Sequence, residues 1–368
     1  MRESERFSAL TEGGSMLEVD GSFGEGGGQI LRTAVALSAI AGIDIRVVNI
    51  RAKRPEPGLK KQHLTGILAA AKICNAVVEG ASVGSTEVVF KPGSIRGGRY
   101  EFDVGTAGSV TLVLQTLLPI AAFADSPVTI EVRGGTDVPW SPPIDYLRYV
   151  VKPHLERLGY IFRVELVRRG HYPRGGGVVR VTVDKPPKSF KSVNVVSAGP
   201  LKKVEGISHC VKLPKHVAER QARAVVEELR KHRVGASVDV VLEWYEPEKD
   251  YHLGPGSGVV LWAQTENSVL GADSLGERGK PAEVVGAEAA SKLLEELATG
   301  MAYDRHMADI LVPYLALARG VSLIGISKLT LHVYTNLWLV KQVLKTDVEY
   351  SENLEKPAVV KIAPRHPL

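Results

Sequence analysis

A chain of 368 residues, 44% hydrophobic and 24% charged, has room for two or three domains of ordinary size and the makeup of a globular protein. The formal charge of +5 is modest, no window holds eighteen uninterrupted apolar residues, and the N-terminal Met1-Arg-Glu-Ser-Glu-Arg is charged where a signal peptide needs an apolar stretch, so a cytoplasmic protein without membrane spans is expected. Two cysteines, Cys74 and Cys210, are too few for a disulfide framework or a cysteine-based zinc site, and both are expected to be buried thiols.

Basic residues cluster twice, at Arg51, Lys53, Arg54, Lys60 and Lys61 and again at Arg163, Arg168, Arg169 and Arg174, a pattern that suits a polyanionic partner. Six Asn and six Gln are few for this length, and that scarcity of heat-labile amides leans toward a thermophilic source.

Taken in order, residues 1–15 are polar without periodicity and are expected to be a disordered tail. Leu17-Glu-Val-Asp reads as a strand running into Gly24-Glu25-Gly26-Gly27-Gly28-Gln29, and apolar residues at helical spacing predict a helix from Ile30 to about Ile40. A glycine loop that opens a helix aims backbone N–H groups at an anion. Glu25 sits in this loop, and Arg32 follows one turn beyond Gly28, on the side a phosphate would occupy. A strand over Ile43–Ile50 ends on Arg51-Ala-Lys-Arg54, and Pro57-Gly58 turns the chain into a helix over Leu59–Ile73. The order recurs: Gly105-Thr-Ala-Gly-Ser109, a helix to about Phe123, a strand over Val128–Val132 ending at Arg133, and a helix from Ser141-Pro-Pro-Ile to Leu158. In a third copy a helix over His306–Leu317 precedes a strand around Val321–Leu331, then His332 and a helix from Asn336.

Gln29 to Arg51 is 22 positions, Ser109 to Arg133 is 24 and Asp309 to His332 is 23, which points to an internal repeat. The expected fold is α+β, with three pseudo-symmetric sheet-plus-two-helix repeats that put Arg51, Arg133 and His332 at equivalent strand ends. Copies two and three are separated by enough chain for an inserted small α/β domain over residues 196–300. The large domain then comprises residues 16–195 and 301–343, with 344–368 as its C-terminal extension.

No G-x-x-x-x-G-K-[ST] occurs and the first glycine run does not fit G-x-G-x-x-G, so P-loop and Rossmann chemistry are disfavoured. Arg169-Gly-His-Tyr-Pro173-Arg174-Gly175-Gly176-Gly177-Val-Val matches R-G-x-x-P-x-G-G-G-x-[LIV], and here the chain resembles the RNA 3'-terminal phosphate cyclase family. Gly24 to Arg32, Arg51 to Arg54, Pro57 to Thr65, Gly105 to Ser109, Gly134 to Asp137 and Leu331 to Asn336 look like further family blocks, in order, from about Leu17 to Val343.

The resemblance implies repeats like the C-terminal domain of translation initiation factor three. It also implies an ATP-dependent enzyme that converts an RNA 3'-phosphate into a 2',3'-cyclic phosphate and releases AMP and pyrophosphate. By the same resemblance His332 is the nucleophile that becomes histidinyl-AMP, a role that suits an imidazole unprotonated near neutral pH. Asp309 is a carboxylate beside it, and His63 and Gln62 are active-site positions on the helix after Pro57. Glu25 helps hold a divalent metal, Mg2+ or Mn2+. Arg32, Arg51 and Arg54 are phosphate contacts, and Gln115 is a nucleotide-side position. Expected partners are ATP and RNA with a 3'-phosphate end, with no membrane, in a monomer or homodimer. His306-Met-Ala-Asp309-Ile310 departs from a Tyr-Leu-Ala-Asp-Gln pattern, and His306 reads as an exposed helix-start residue. Two other readings stay open: a non-catalytic cyclase-like ribosome-assembly factor, which His332 speaks against, and an adenylating enzyme acting on another phosphate end.

Overall fold

The computed structural model describes residues 16–351 and 353–365; the tail expected over 1–15 lies outside them. β1 (Leu17–Asp20) and β2 (Ile45–Val48) run parallel and are joined through α1 (Gly28–Ala41). α2 (Lys61–Cys74) leads to β3 (Val77–Glu79) and β4 (Val88–Lys91), which pair antiparallel and complete a sheet of order β1-β2-β4-β3. The chain then makes β5 (Gly98–Asp103), α3 (Val110–Ala121) and β6 (Val128–Gly134). α4 follows, continuous from Ile144–Tyr146 through a π-helical stretch, Leu147–Val151, to Lys152–Arg157. With β7 (Arg163–Arg168) and β8 (Gly177–Val183) the second sheet has the order β5-β6-β8-β7, again one parallel and two antiparallel pairs.

After β9 (Asn194–Val195) come β10 (Leu201–Val211), α5 (His216–Lys231), β11 (Ser237–Glu243), β12 (Gly256–Thr265), β13 (Val269–Leu275) and α6 (Ala282–Ala298). Their four strands form a sheet of different order, β11-β10-β12-β13, on which α5 and α6 pack. The interrupted pattern then resumes with α7 (Arg305–Ala316), β14 (Ser322–Ile326), α8 (Leu331–Leu344), β15 (Asp347–Tyr350) and β16 (Ala358–Ala363). The resulting order, β9-β14-β16-β15, matches the first two sheets in both sequence and strand direction. β15 and β16, both beyond residue 343, complete the third sheet.

Alternation sets the strands: in β8 Gly177, Val179, Val181 and Val183 are buried and the residues between them only half-buried. One apolar cluster runs through all three similar sheets, from Val19, Leu37 and Ile45 through Leu114, Val132 and Val181 to Leu311, Ile324 and Leu337. A second, with Val204, Val225, Leu261, Ala289 and Leu293, lies wholly within the stretch from β10 to α6. Each such Leu or Val contributes about 1.5–3 kcal/mol by leaving water. Cys74 and Cys210 are buried free thiols, and burial pushes the Cys74 pKa up to about 11.

The repeat is visible, but the residue correspondence read from spacing is not. Lys328-Leu-Thr-Leu-His332 alternates like a strand, yet Thr330 is an N-cap whose hydroxyl accepts the Val333 N–H at 3.2 Å, and the helix starts at Leu331. His332 is therefore the second residue of α8 and not a strand end. By place in the second helix its counterparts are Gln62 in α2 and Asp145 in α4, whereas Arg51 lies in the turn beyond β2 and Arg133 inside β6.

Candidate active site

The first turns of α1 and α8 meet under the glycine loop. Gly24 has φ +57°, and a Cβ there would collide with Oγ1 of Thr335, so only glycine lets the loop close on α8. The Thr335 hydroxyl accepts the Glu25 N–H at 3.2 Å and donates to the Leu331 carbonyl at 2.6 Å. Phe23 stacks on Trp338 with ring centroids 4.1 Å apart, which fixes the other side of the loop. α1 has Gly27 at its N-cap, with no side-chain cap and no acidic residue in its first turn, leaving its leading N–H groups and dipole for an anion.

His332 is exposed at this junction. Its Nδ1 lies 2.5 Å from Oε1 of Gln29. The Gln29 amide nitrogen donates to Oδ1 of Asp309 and, at 3.0 Å, to the His332 carbonyl. Two oxygen acceptors fix which end of the amide is nitrogen, so its oxygen faces the ring; an amide oxygen only accepts, and the imidazole proton therefore sits on Nδ1. Asn336, one turn along α8, donates to the Asp309 carbonyl at 3.0 Å and to Oδ1 at 2.7 Å. Desolvation pushes the Asp309 carboxyl up to about 6 against the pull of His332 and Arg32. Desolvation likewise holds Arg32 down at about 10, and it stays charged. For His332 desolvation, reinforced by Arg32 and Arg54 and opposed by Asp309, keeps the ring below the ordinary imidazole value.

The other expected residues ring the same spot. Glu25 pairs with Arg54. Gln62 accepts the Ser109 N–H at 3.0 Å, tying α2 to the loop before α3. Arg51, at φ +55°, donates to the carbonyls of Glu56 at 2.7 Å and Gly58 at 2.8 Å, so it braces the turn into α2 while its charge acts on His63. His63 is buried beside Gly28, and its Nδ1 accepts the Lys60 N–H at 3.2 Å. Burial, with Arg32, Arg51 and Lys60 nearby, drops its pKa to about 3, which makes it a neutral ring with its proton on Nε2: a hydrogen-bond donor rather than a base. Gln115 lines a narrow pocket together with Gln29, Arg32, Asp309 and Asn336.

Only the first basic cluster belongs here. In the second, Arg163 pairs with Asp184, Arg168 donates to the Gly176 carbonyl at 2.7 Å, and Arg169 is fully buried among Asp137, Asp145 and Glu243. His306 is exposed at the start of α7, edge-on to Tyr146. Sequence reasoning gives no role to Gln29, the amide that connects Asp309 to His332, or to Asn336, which holds Asp309. Their signal was faint: each is a lone amide in the first two turns of a helix that begins at a glycine or Thr cap.

The sequence pattern of the family described as RNA 3'-terminal phosphate cyclase matches residues 23–350. The chain belongs to this family. It is 56% identical over 338 residues to the "RNA 3'-terminal phosphate cyclase" of Hyperthermus butylicus, covering 92% of this chain and 94% of that protein. The protein of the same name from Methanopyrus kandleri is 53% identical over 351 residues, 95% and 99% of the two chains. That from Ignicoccus hospitalis is 56% identical over 348 residues, 94% and 98%. The cyclase family match spans the glycine loop, the signature run Arg169–Gly177 and His332. Among the described residues no helix is long and apolar enough to cross a membrane.

Proposed function

We propose that this family member is an ATP-dependent RNA 3'-terminal phosphate cyclase that works through adenylylated His332. The observation that carries the reading is the bond from His332 to Gln29: with the proton held on Nδ1, Nε2 presents its lone pair to the solvent side, at a junction of two helix N-termini suited to a triphosphate.

Nε2 attacks the α-phosphorus of ATP and pyrophosphate leaves. The imidazole gains positive charge, which Asp309 offsets through Gln29. That same charge makes the ring a good leaving group when an oxygen of the RNA 3'-phosphate attacks the adenylate. The neighbouring 2'-OH then attacks the 3'-phosphorus, AMP leaves and the cyclic phosphate closes. These displacements need positioning and neutralisation of oxygens more than proton transfer. Arg32, Arg54 and the His63 Nε2–H serve that need, and Gln115 belongs to the nucleotide side. Glu25, a lone carboxylate by the glycine loop, fits the small protein share that Mg2+ or Mn2+ takes when substrate phosphates supply the rest, and the bound ion would neutralise phosphate charge. Exposed Lys53, Arg54 and Lys61 offer the RNA backbone a basic rim.

The shared strand order of three sheets supports repeats of the kind in the C-terminal domain of translation initiation factor three. The separate apolar cluster supports an inserted domain over 196–300 in a large domain of 16–195 and 301–343 with its extension to 368. The test is incubation with ATP, Mg2+ or Mn2+ and a 3'-phosphorylated oligoribonucleotide. The expected product resists phosphatase; a 3'-phosphate that stays phosphatase-sensitive while a 5'-phosphate end acquires AMP points to the other acceptor.

A further inference from the structure

Away from the adenylylation site, three buried side chains from three parts of the chain converge: Asp137 just beyond β6, His171 in the signature run, and His209 in β10. One ligand atom from each lies within 4.8 Å of the others. Nε2 of His171 and Nε2 of His209 are 3.0 Å apart, and the latter is 3.9 Å from Oδ1 of Asp137. Ligands about 2.0–2.2 Å from a tetrahedral ion lie roughly 3.3–3.6 Å from one another, a spacing that these two distances bracket.

The surrounding backbone makes room for it. Glycine inside a strand weakens it, yet β12 opens Gly256-Ser257-Gly258. A Cβ at Gly256 would strike the His171 ring, and one at Gly258 would come within 2.9 Å of Cε1 of His209. Charge points the same way. Asp137, Asp145 and Glu243 face Arg169 and Arg148, three carboxylates against two guanidiniums, an excess that a cation would offset. Without an ion, one shared proton joins the two facing nitrogens.

We propose that Asp137, His171 and His209 bind a divalent transition metal of the zinc class, which clasps the stretch carrying β10 to the signature run. Two imidazoles and one carboxylate favour such an ion over Mg2+ or Ca2+, which prefer oxygen alone. Asp137 and His171 also line a cleft of about 810 Å³, which gives an ion a route in and leaves a fourth position open. The clasp bears on the active site indirectly, because Gly175 of the signature run packs on Ala107 and the adjoining Ser109 holds Gln62.

The test is calorimetric titration of chelator-stripped full-length protein with zinc chloride, with Co2+ absorption as a second readout. It compares wild type, Glu25→Gln, His171→Ala and His209→Ala. The expected result is one zinc bound by wild type and by Glu25→Gln, with affinity down about 100-fold or more in either histidine variant and the Co2+ visible bands lost with it. Circular dichroism checks folding; should His209→Ala not fold, His171→Ala, which changes a loop residue, carries the comparison. No stoichiometric zinc binding by wild type, or equal binding by folded His171→Ala, overturns the proposal.

Discussion

Nδ1 of His332 is 2.5 Å from Oε1 of Gln29, and the nitrogen of that amide donates to Asp309. The carboxylate therefore acts at one remove. It holds the amide, the amide holds the tautomer, and in the proposed mechanism the charge of Asp309 stays available to an imidazole that would become cationic on attack. Gln29 belongs to α1 and His332 to α8, so the pairing exists only once these two helices have packed together.

Replacing the amide tests this directly. Gln29→Met keeps the bulk and removes both functions, so the ring loses its tautomer lock. Histidine adenylylation is expected to slow about 100-fold, near 2.7 kcal/mol of barrier. ATP affinity should change little, and single-turnover labelling at saturating ATP separates the two.

Acidity enters through two groups with opposite shifts. His332 is held below the usual imidazole value and is neutral by pH 7, while the Asp309 carboxyl, pushed up to about 6, becomes an anion only above that. The adenylylation rate should therefore rise between pH 5 and 7 and then level. Asp309→Asn keeps an acceptor for Gln29 but no charge; it should lower the plateau about tenfold or more and remove the rise near pH 6. The raised carboxyl has a stability consequence of the opposite sign: its contribution is greatest below the unfolded value of about 3.9 and is lost as pH climbs through 6.

Glu25→Gln removes the carboxylate beside the glycine loop and frees Arg54 from its pair. The concentration of Mg2+ or Mn2+ for half-maximal adenylylation should rise about tenfold, with the plateau at saturating metal less affected, as a metal titration of the labelling rate would show.

Arg169 is fully buried against Asp137, Asp145 and Glu243. Arg169→Met leaves three carboxylates short of a partner and should destabilise by about 3–5 kcal/mol, read as a fall in Tm. The signature run thus holds its first arginine for folding: Glu243 belongs to β11, so the ion pairs bind that sheet to the rest.

Much of this was legible in the chain. The helices expected over Ile30–Ile40 and Leu59–Ile73 lie at Gly28–Ala41 and Lys61–Cys74. Of the charged candidates, Glu25 lies in the glycine loop, Arg54 pairs with it and Arg32 lies in the second turn of α1. Strands such as β5, Gly-Arg-Tyr-Glu-Phe-Asp, are harder to read because their alternation is short, with only Tyr100 and Phe102 half-buried between exposed residues. Gln29 and Asn336 were hidden for a different reason. An uncharged amide carries no pattern of its own, and its role depends on a contact with Asp309 that spans 280 positions for one and 27 for the other.

The most direct measurement is incubation with α-labelled ATP and a divalent metal, followed by mapping of the label on the protein. One label per chain is expected on His332, stable to alkali and lost in acid, and absent from His332→Ala. A wild type that stays unlabelled, or a His332→Ala variant that labels equally well, would contradict the histidinyl-AMP mechanism.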